Sequence, residues 1–213
     1  MKNFKKLACI ALSVFAMSCS KKEDTIAPIL PSAAFEASNT TVTEIPDASN
    51  ASPNISNSVE IAVTIDKEGV IADGNKITIE LDLVHSWAGD IAIEVITPSG
   101  ESCGLIKRIG SVGTTGVGTS DDFKATNKLV FNNTYVNSIP ITGNTNFEIP
   151  TGNYKPTFGA NLTPTNVIEK PMATFFNGKS VKGIWKLKAY DCKNINTGSV
   201  NAWKIKFDAG ALQ

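Results

Sequence analysis

Apolar side chains fall on every second residue along much of this chain, the period that sets one face of an extended strand against a core. In SVEIAVTI, residues 58–65, Val59, Ile61, Val63 and Ile65 share a side; in KITIELDLV, residues 76–84, Ile77, Ile79, Leu81 and Leu83 do the same. IAIEVI, residues 91–96, keeps Ile91, Ile93 and Val95 inward and sends Glu94 outward. The turn chemistry of TPSGES then leads to CGLIKRI as the returning strand. KLVFNNTY, residues 128–135, holds a further short run, and residues 140–165 are broken up by proline and glycine turns. Near the end, IWKLKAYDC alternates through Trp185, Leu187 and Ala189, NTG turns the chain, and AWKIKF alternates through Trp203, Ile205 and Phe207. A helical period is confined to one short candidate, VIEKPMATFF, interrupted at Pro171. Many short strands with glycine and proline punctuation predict an all-β sandwich or jelly roll.

The ends read differently. Residues 1–18 carry Lys2, Lys5 and Lys6, an apolar body from Leu7 to Met17, and small Ser18 before Cys19, the layout of a secretory signal peptide. That body is too short to cross a hydrocarbon layer of ~30 Å as a helix. Cys19 followed by SKKED resembles the processing site of bacterial lipoproteins, although Ala16 stands where such sites usually carry Leu. Lipidation at Cys19 would anchor the exported chain to a bacterial membrane, at the outer membrane or cell surface. The alternative is plain secretion with an incidental cysteine. Residues 19–43, rich in Ser, Thr, Pro and Ala, read as a flexible tether, and residues 44–213 as one domain.

Charge narrows the partners. The whole chain balances 20 basic against 20 acidic side chains, so loss of the three leader lysines leaves the remainder three charges negative. That balance provides no basic footprint for nucleic acid. Cys9 leaves with the leader and Cys19 is the lipid site, which leaves Cys103 and Cys192. In an exported protein such a pair is expected to form a disulfide, two separate buried thiols being the alternative. There is no CxxC motif, and His85 is the single histidine, so zinc is not expected.

Five blocks, in order, carry a family resemblance. They are IPD at Ile45–Asp47, HSWAGDIAIEVITPSG at His85–Gly100, TGNYKP at Thr151–Pro156, FNGKSVKGIWKLKAYD at Phe176–Asp191, and NTGSVNAWKIKF at Asn196–Phe207. Together they resemble the P domain, or Homo B domain, that follows the catalytic domain of kexin- and furin-like proprotein convertases. The resemblance implies a jelly-roll β-sandwich of about eight strands, similar to galactose-binding domains. It also implies structural roles for His85, Gly89, Asp90, Pro98, Gly100, Tyr154, Pro156, Asn177, Gly178, Gly183, Trp185, Asp191, Gly198 and Trp203. Convertases keep their serine-protease triad in a separate subtilisin-like domain, which this chain lacks.

His85 therefore has two readings. A histidine near a carboxylate is the raw material of acid–base or triad chemistry. On the P-domain motif it is instead a hydrogen-bonding residue at a strand end, and no Gly-x-Ser nucleophile setting accompanies it. Trp185 and Trp203 are expected in the core rather than as sugar platforms, whereas Trp87, beside a turn, is a candidate surface contact. Asp90, Asp121 and Asp122, with carbonyls of the glycine-rich loop at residues 110–123, are candidate calcium ligands, the alternative being solvated loop carboxylates. The expected function is a non-catalytic, lipid-anchored module that binds a protein, with no enzymatic activity of its own. The alternatives are carbohydrate binding around Trp87 and completion of a separately encoded protease.

Overall fold

The computed structural model describes residues 31–48, 57–113 and 116–213. The expected leader at residues 1–18 and the candidate lipidation residue Cys19 lie outside them. The fold is all-β. Its strands are β1 (Phe35–Asn39), β2 (Thr43–Ile45), β3 (Ser58–Ile65), β4 (Ile77–His85), β5 (Ile91–Ile96) and β6 (Ser102–Lys107), followed by β7 (Leu129–Phe131), β8 (Gly152–Tyr154) and β9 (Thr157–Phe158). One short helix, α1 (Met172–Phe176), precedes β10 (Gly183–Asp191) and β11 (Gly198–Phe207). Helix α1 begins at the residue after Pro171, as a helix behind a proline should.

The strands form two mixed sheets. One runs β1-β11-β4-β7-β8 with β2 also paired to β11; the other runs β3-β10-β5-β6-β9. Alternation in β4 sends Ile77, Ile79, Leu81, Leu83 and His85 inward, where they meet Val63, Ile93, Val95, Trp185 and Leu187 of the second sheet in a single core. In β11 the inward set changes parity, from Gly198 and Val200 to Trp203, Ile205 and Phe207. A bulge between Val200 and Ala202 makes this possible, because one extra residue flips every later side chain to the other face.

Four expectations are corrected. Among the described residues there are eleven strands, several of only two or three residues, against an expectation of about eight. The tether does not extend to residue 43: β1 pairs along β11 from Phe35↔Phe207 to Asn39↔Trp203, and the compact unit begins at Pro31. Phe35 stacks on Phe207 with ring centroids 4.4 Å apart, which gives this short edge strand its hold. Glu94 does not face solvent. The segment around Phe158 and Val167 covers the outer face of β5 and β10, burying Ala92, Glu94, Tyr190 and Cys192 beneath it.

The disulfide is the fourth. Cys103 and Cys192 are free, buried thiols. Cys103 pairs with Val95, which pairs with Leu187, and Cys192 lies five residues farther along than Leu187. That places the two about 10 Å apart across the sheet and about 16 Å along it, beyond the Cα separation of about 7 Å that a bridge spans. They also face opposite ways, Cys103 into the main core and Cys192 into the small cluster under the covering segment.

Candidate functional site

The chemistry-bearing side chains of the HSWAGD stretch collect at one corner, where β4 ends, β5 begins, and β6 and β10 run out. His85 closes β4, its backbone exchanging hydrogen bonds with Phe123. Its ring is fully buried, with Nε2 3.1 Å from Asp191 Oδ2 at the end of β10. The carboxylate can only accept, so Nε2 donates. Nδ1 faces the Trp87 backbone, 2.9 Å from its carbonyl and 3.1 Å from its N–H. In the neutral ring Nδ1 accepts from that N–H; in the protonated ring it donates to that carbonyl. Either way both nitrogens are occupied inside the protein. Asp191 Oδ1 is taken by the Lys193 N–H. Gly198, opposite His85 in the ladder, leaves room for the ring: a Cβ there would stand 2.6 Å from His85 Cδ2.

A second buried pair sits behind the first. Arg108, the sole arginine among 20 basic residues, is fully buried at the end of β6 and adopts φ +44°. Its Nε donates to the Gly89 carbonyl at 2.6 Å, and one terminal nitrogen lies 3.9 Å from Asp90 Oδ1. Burial pushes the Asp90 carboxyl up to about 6, a rise that Arg108 and His85 only partly offset. Gly89 packs on Gly118 so closely that a Cβ would stand 2.2 Å from the Gly118 carbonyl carbon. Arg108 was invisible to motif reasoning; its being the one arginine in a lysine chain was the available signal, since Arg stays charged and fits fixed acceptors where Lys does not.

The three candidate calcium ligands are held apart by separate partners. Asp90 faces Arg108, and Asp122 pairs with Lys124 at 3.4 Å. Asp121 accepts from the Thr119 and Thr142 hydroxyls at 2.5 and 2.7 Å and from the N–H groups of Thr142, Gly143 and Asn144. Desolvation works against its charge, but these donors outweigh it and hold the carboxyl below its ordinary range. Among the described residues no group of three or more His, Cys, Asp or Glu side chains is arranged to hold a metal ion. The three candidate carboxylates are thus not brought together, and Asp121 instead fastens the loop at residues 142–144.

The remaining motif residues are likewise fasteners. The Tyr154 hydroxyl donates to the Pro150 carbonyl at 2.8 Å, and Asn177 Oδ1 accepts from the Gly74 N–H at 2.6 Å. Gly183 packs on Pro98, and Gly100 and Gly178 take positive φ in turns. Pro156 lines a surface hollow with Tyr135 and Lys155. Trp185 and Trp203 are buried in the core, the Trp185 Nε1 donating to the Val181 carbonyl. Trp87 differs: half-buried, it borders an open hollow of about 380 Å³ with Gly110, Gly118, Thr119, Ser120, Ile141, Thr142 and Gly143.

A buried polar network that sequence reasoning missed lies under the covering segment. The Tyr190 hydroxyl donates to Glu94 Oε1 at 2.5 Å, and Asn166 Nδ2 reaches both, at 2.6 and 3.1 Å. Burial and the Glu94 carboxylate raise the Tyr190 phenol. Lys107 extends to the Val167 carbonyl at 3.0 Å. These bonds tie the segment down onto the sheet.

The fold is an all-β sandwich whose motif histidine is held in a buried pair with Asp191. Residues 146–207 match the proprotein convertase P-domain, so the C-terminal part of this chain carries that family's signature. The structure is also similar to a serine protease of Aeromonas sobria, at 11% identity and TM-score 0.36, over 82% of this chain and 27% of that one. A complex of Aeromonas sobria serine protease with the chaperone ORF2 matches at 12% identity and TM-score 0.37, over 82% and 26%. The chain spans about a quarter of the length of those proteases. No curated protein matches it.

Proposed function

We propose that this chain is a non-catalytic P-domain module, exported and held to a bacterial membrane through Cys19, that binds and stabilises a protein partner. The partner we favour is a separately encoded subtilisin-like serine protease. The P-domain match at residues 146–207 carries the reading. It is supported by the His85–Asp191 pair: an imidazole with both nitrogens engaged and no solvent contact has no lone pair to offer a substrate proton.

The test is purification of the full chain from its native membrane in detergent. Co-elution in fixed ratio with a subtilisin-like serine protease, whose active half-life shortens when the chain is removed, would support the proposal. A chain that elutes alone while the protease decays at the same rate in its absence would overturn it. Fatty-acid analogue labelling tests the anchor: label is expected on the wild type and lost in Cys19→Ala, and equal label on both would contradict it.

A further inference from the structure

The hollow beside Trp87 has a composition of its own. None of its eight lining residues is charged, and neither are the loop sequences that supply them: SWAG at 86–89, GSVGTTGVGTS at 110–120 and IPITGNTN at 139–146. In a chain that otherwise carries Lys and Asp or Glu on most exposed strands, this is a neutral surface of one aromatic ring, one aliphatic side chain, hydroxyls and bare backbone.

Both walls are fixed in advance. The Trp87 backbone is clamped by His85 Nδ1, and its carbonyl accepts from the Asp90 N–H at 3.0 Å. Opposite, Asp121 gathers the N–H groups of residues 142–144 and so sets the loop that carries Ile141 and Thr142. The buried carboxylate also fixes polarity. Thr119 and Thr142 spend their hydroxyl protons on Asp121, so their oxygens can only accept. Each already receives one backbone N–H, from Asp121 at 3.5 Å and from Asn144 at 3.2 Å, with one lone pair left over. The Ser120 hydroxyl has no protein partner among the described residues and is free to donate or accept.

We propose that this hollow is a binding site for a neutral carbohydrate, a short stretch of an uncharged glycan laid against Trp87. A sugar ring has an apolar C–H face that suits an indole and a rim of hydroxyls that both donate and accept, matching what the walls provide. A charged ligand would lose water against groups with no opposite charge to replace it. The volume, about 380 Å³, falls in the range of small-ligand sites, and preformed walls keep the ordering cost low. The site stands apart from the protease-binding reading and needs no protease.

Tryptophan fluorescence of the full chain reads it directly, because Trp185 and Trp203 are buried and the change reports Trp87. The probes are soluble β-glucan, mannan and xylan, with polygalacturonate as an acidic counterpart. The expected result is a saturable shift with at least one neutral polymer, the same at low and high salt. It should weaken about tenfold or more in both Trp87→Ala and Ile141→Asp while both variants melt close to wild type. A silent response to all three neutral polymers, stronger binding of polygalacturonate that salt removes, or unchanged binding by Trp87→Ala would each overturn the proposal.

Discussion

The Nε2 of His85 stands 3.1 Å from Asp191 Oδ2, and neither side chain reaches solvent. The contact joins the last residue of β4 in one sheet to the last residue of β10 in the other, so it fastens the two sheets where their loops begin. Asp191→Ala leaves the ring without its acceptor in a closed site and should cost about 1–3 kcal/mol. Asp191→Asn keeps an accepting oxygen and should cost less. Chemical denaturation of the two variants checks the order; equal losses would mean that the hydrogen bond is not what matters.

Asp90 makes stability depend on pH in an unusual direction. Its carboxyl is raised to about 6 in the fold by burial, against an ordinary value of 3.8. Below the ordinary value it is protonated whether folded or not, and no penalty applies. As pH climbs from there to about 6 the unfolded chain releases the proton first, so stability is lost, levelling at roughly 3 kcal/mol. The free-energy gap between wild type and Asp90→Asn, measured by denaturation from acid to neutral pH, should move in favour of Asp90→Asn across that window. A gap that stays flat would contradict the burial argument.

The three tryptophans should separate cleanly. Trp185→Ala and Trp203→Ala each empty a large core volume and should cost about 3–5 kcal/mol. Trp87→Ala removes a half-buried ring at the edge of an open hollow and should cost no more than about 1 kcal/mol. Thermal melts of the three variants decide this, and a large loss at Trp87 would place that ring in the core.

Cys103 and Cys192 should behave as separate, shielded thiols. Burial pushes the first up to about 12 and the second up to about 11, so little thiolate exists near neutral pH. Alkylation in denaturant without reductant, followed by peptide mapping, should label both positions, while the native chain labels slowly. A peptide pair that appears only after reduction would restore the disulfide.

Much of this architecture was legible in the chain. The alternation is strong because β3 and β4 each lay four apolar residues on one face, β10 sets Trp185, Leu187 and Ala189 inward, and β11 does the same with Trp203, Ile205 and Phe207; the core tryptophans followed from it. What escaped depended on distant partners. The strand β1 shows one large apolar residue, Phe35, and is a strand because Phe207 lies beside it. Glu94 obeys the strand period and would be outside, had the segment carrying Asn166 and Val167 not folded over it. The cysteine rule failed because compartment statistics carry no geometry: the two thiols lie on opposite faces of one sheet. At the candidate site, the position of His85 at a strand end was readable from its motif, but its partner Asp191 and the neighbouring Arg108 come together only through the sandwich. The acidic residues offered as calcium ligands were judged by number and proximity in sequence, whereas Asp121 is taken up by loop donors, Asp122 pairs with Lys124, and Asp90 is buried facing Arg108.

The central claim is that His85 fastens a scaffold and does not move protons for a reaction. The most direct measurement is turnover of fluorogenic peptides with dibasic sites by the purified full chain, wild type beside His85→Gln, with unfolding followed on the same samples. The account predicts no hydrolysis by either and a lower unfolding midpoint for His85→Gln. Hydrolysis by the wild type that vanishes in a His85→Gln protein of unchanged stability would contradict it.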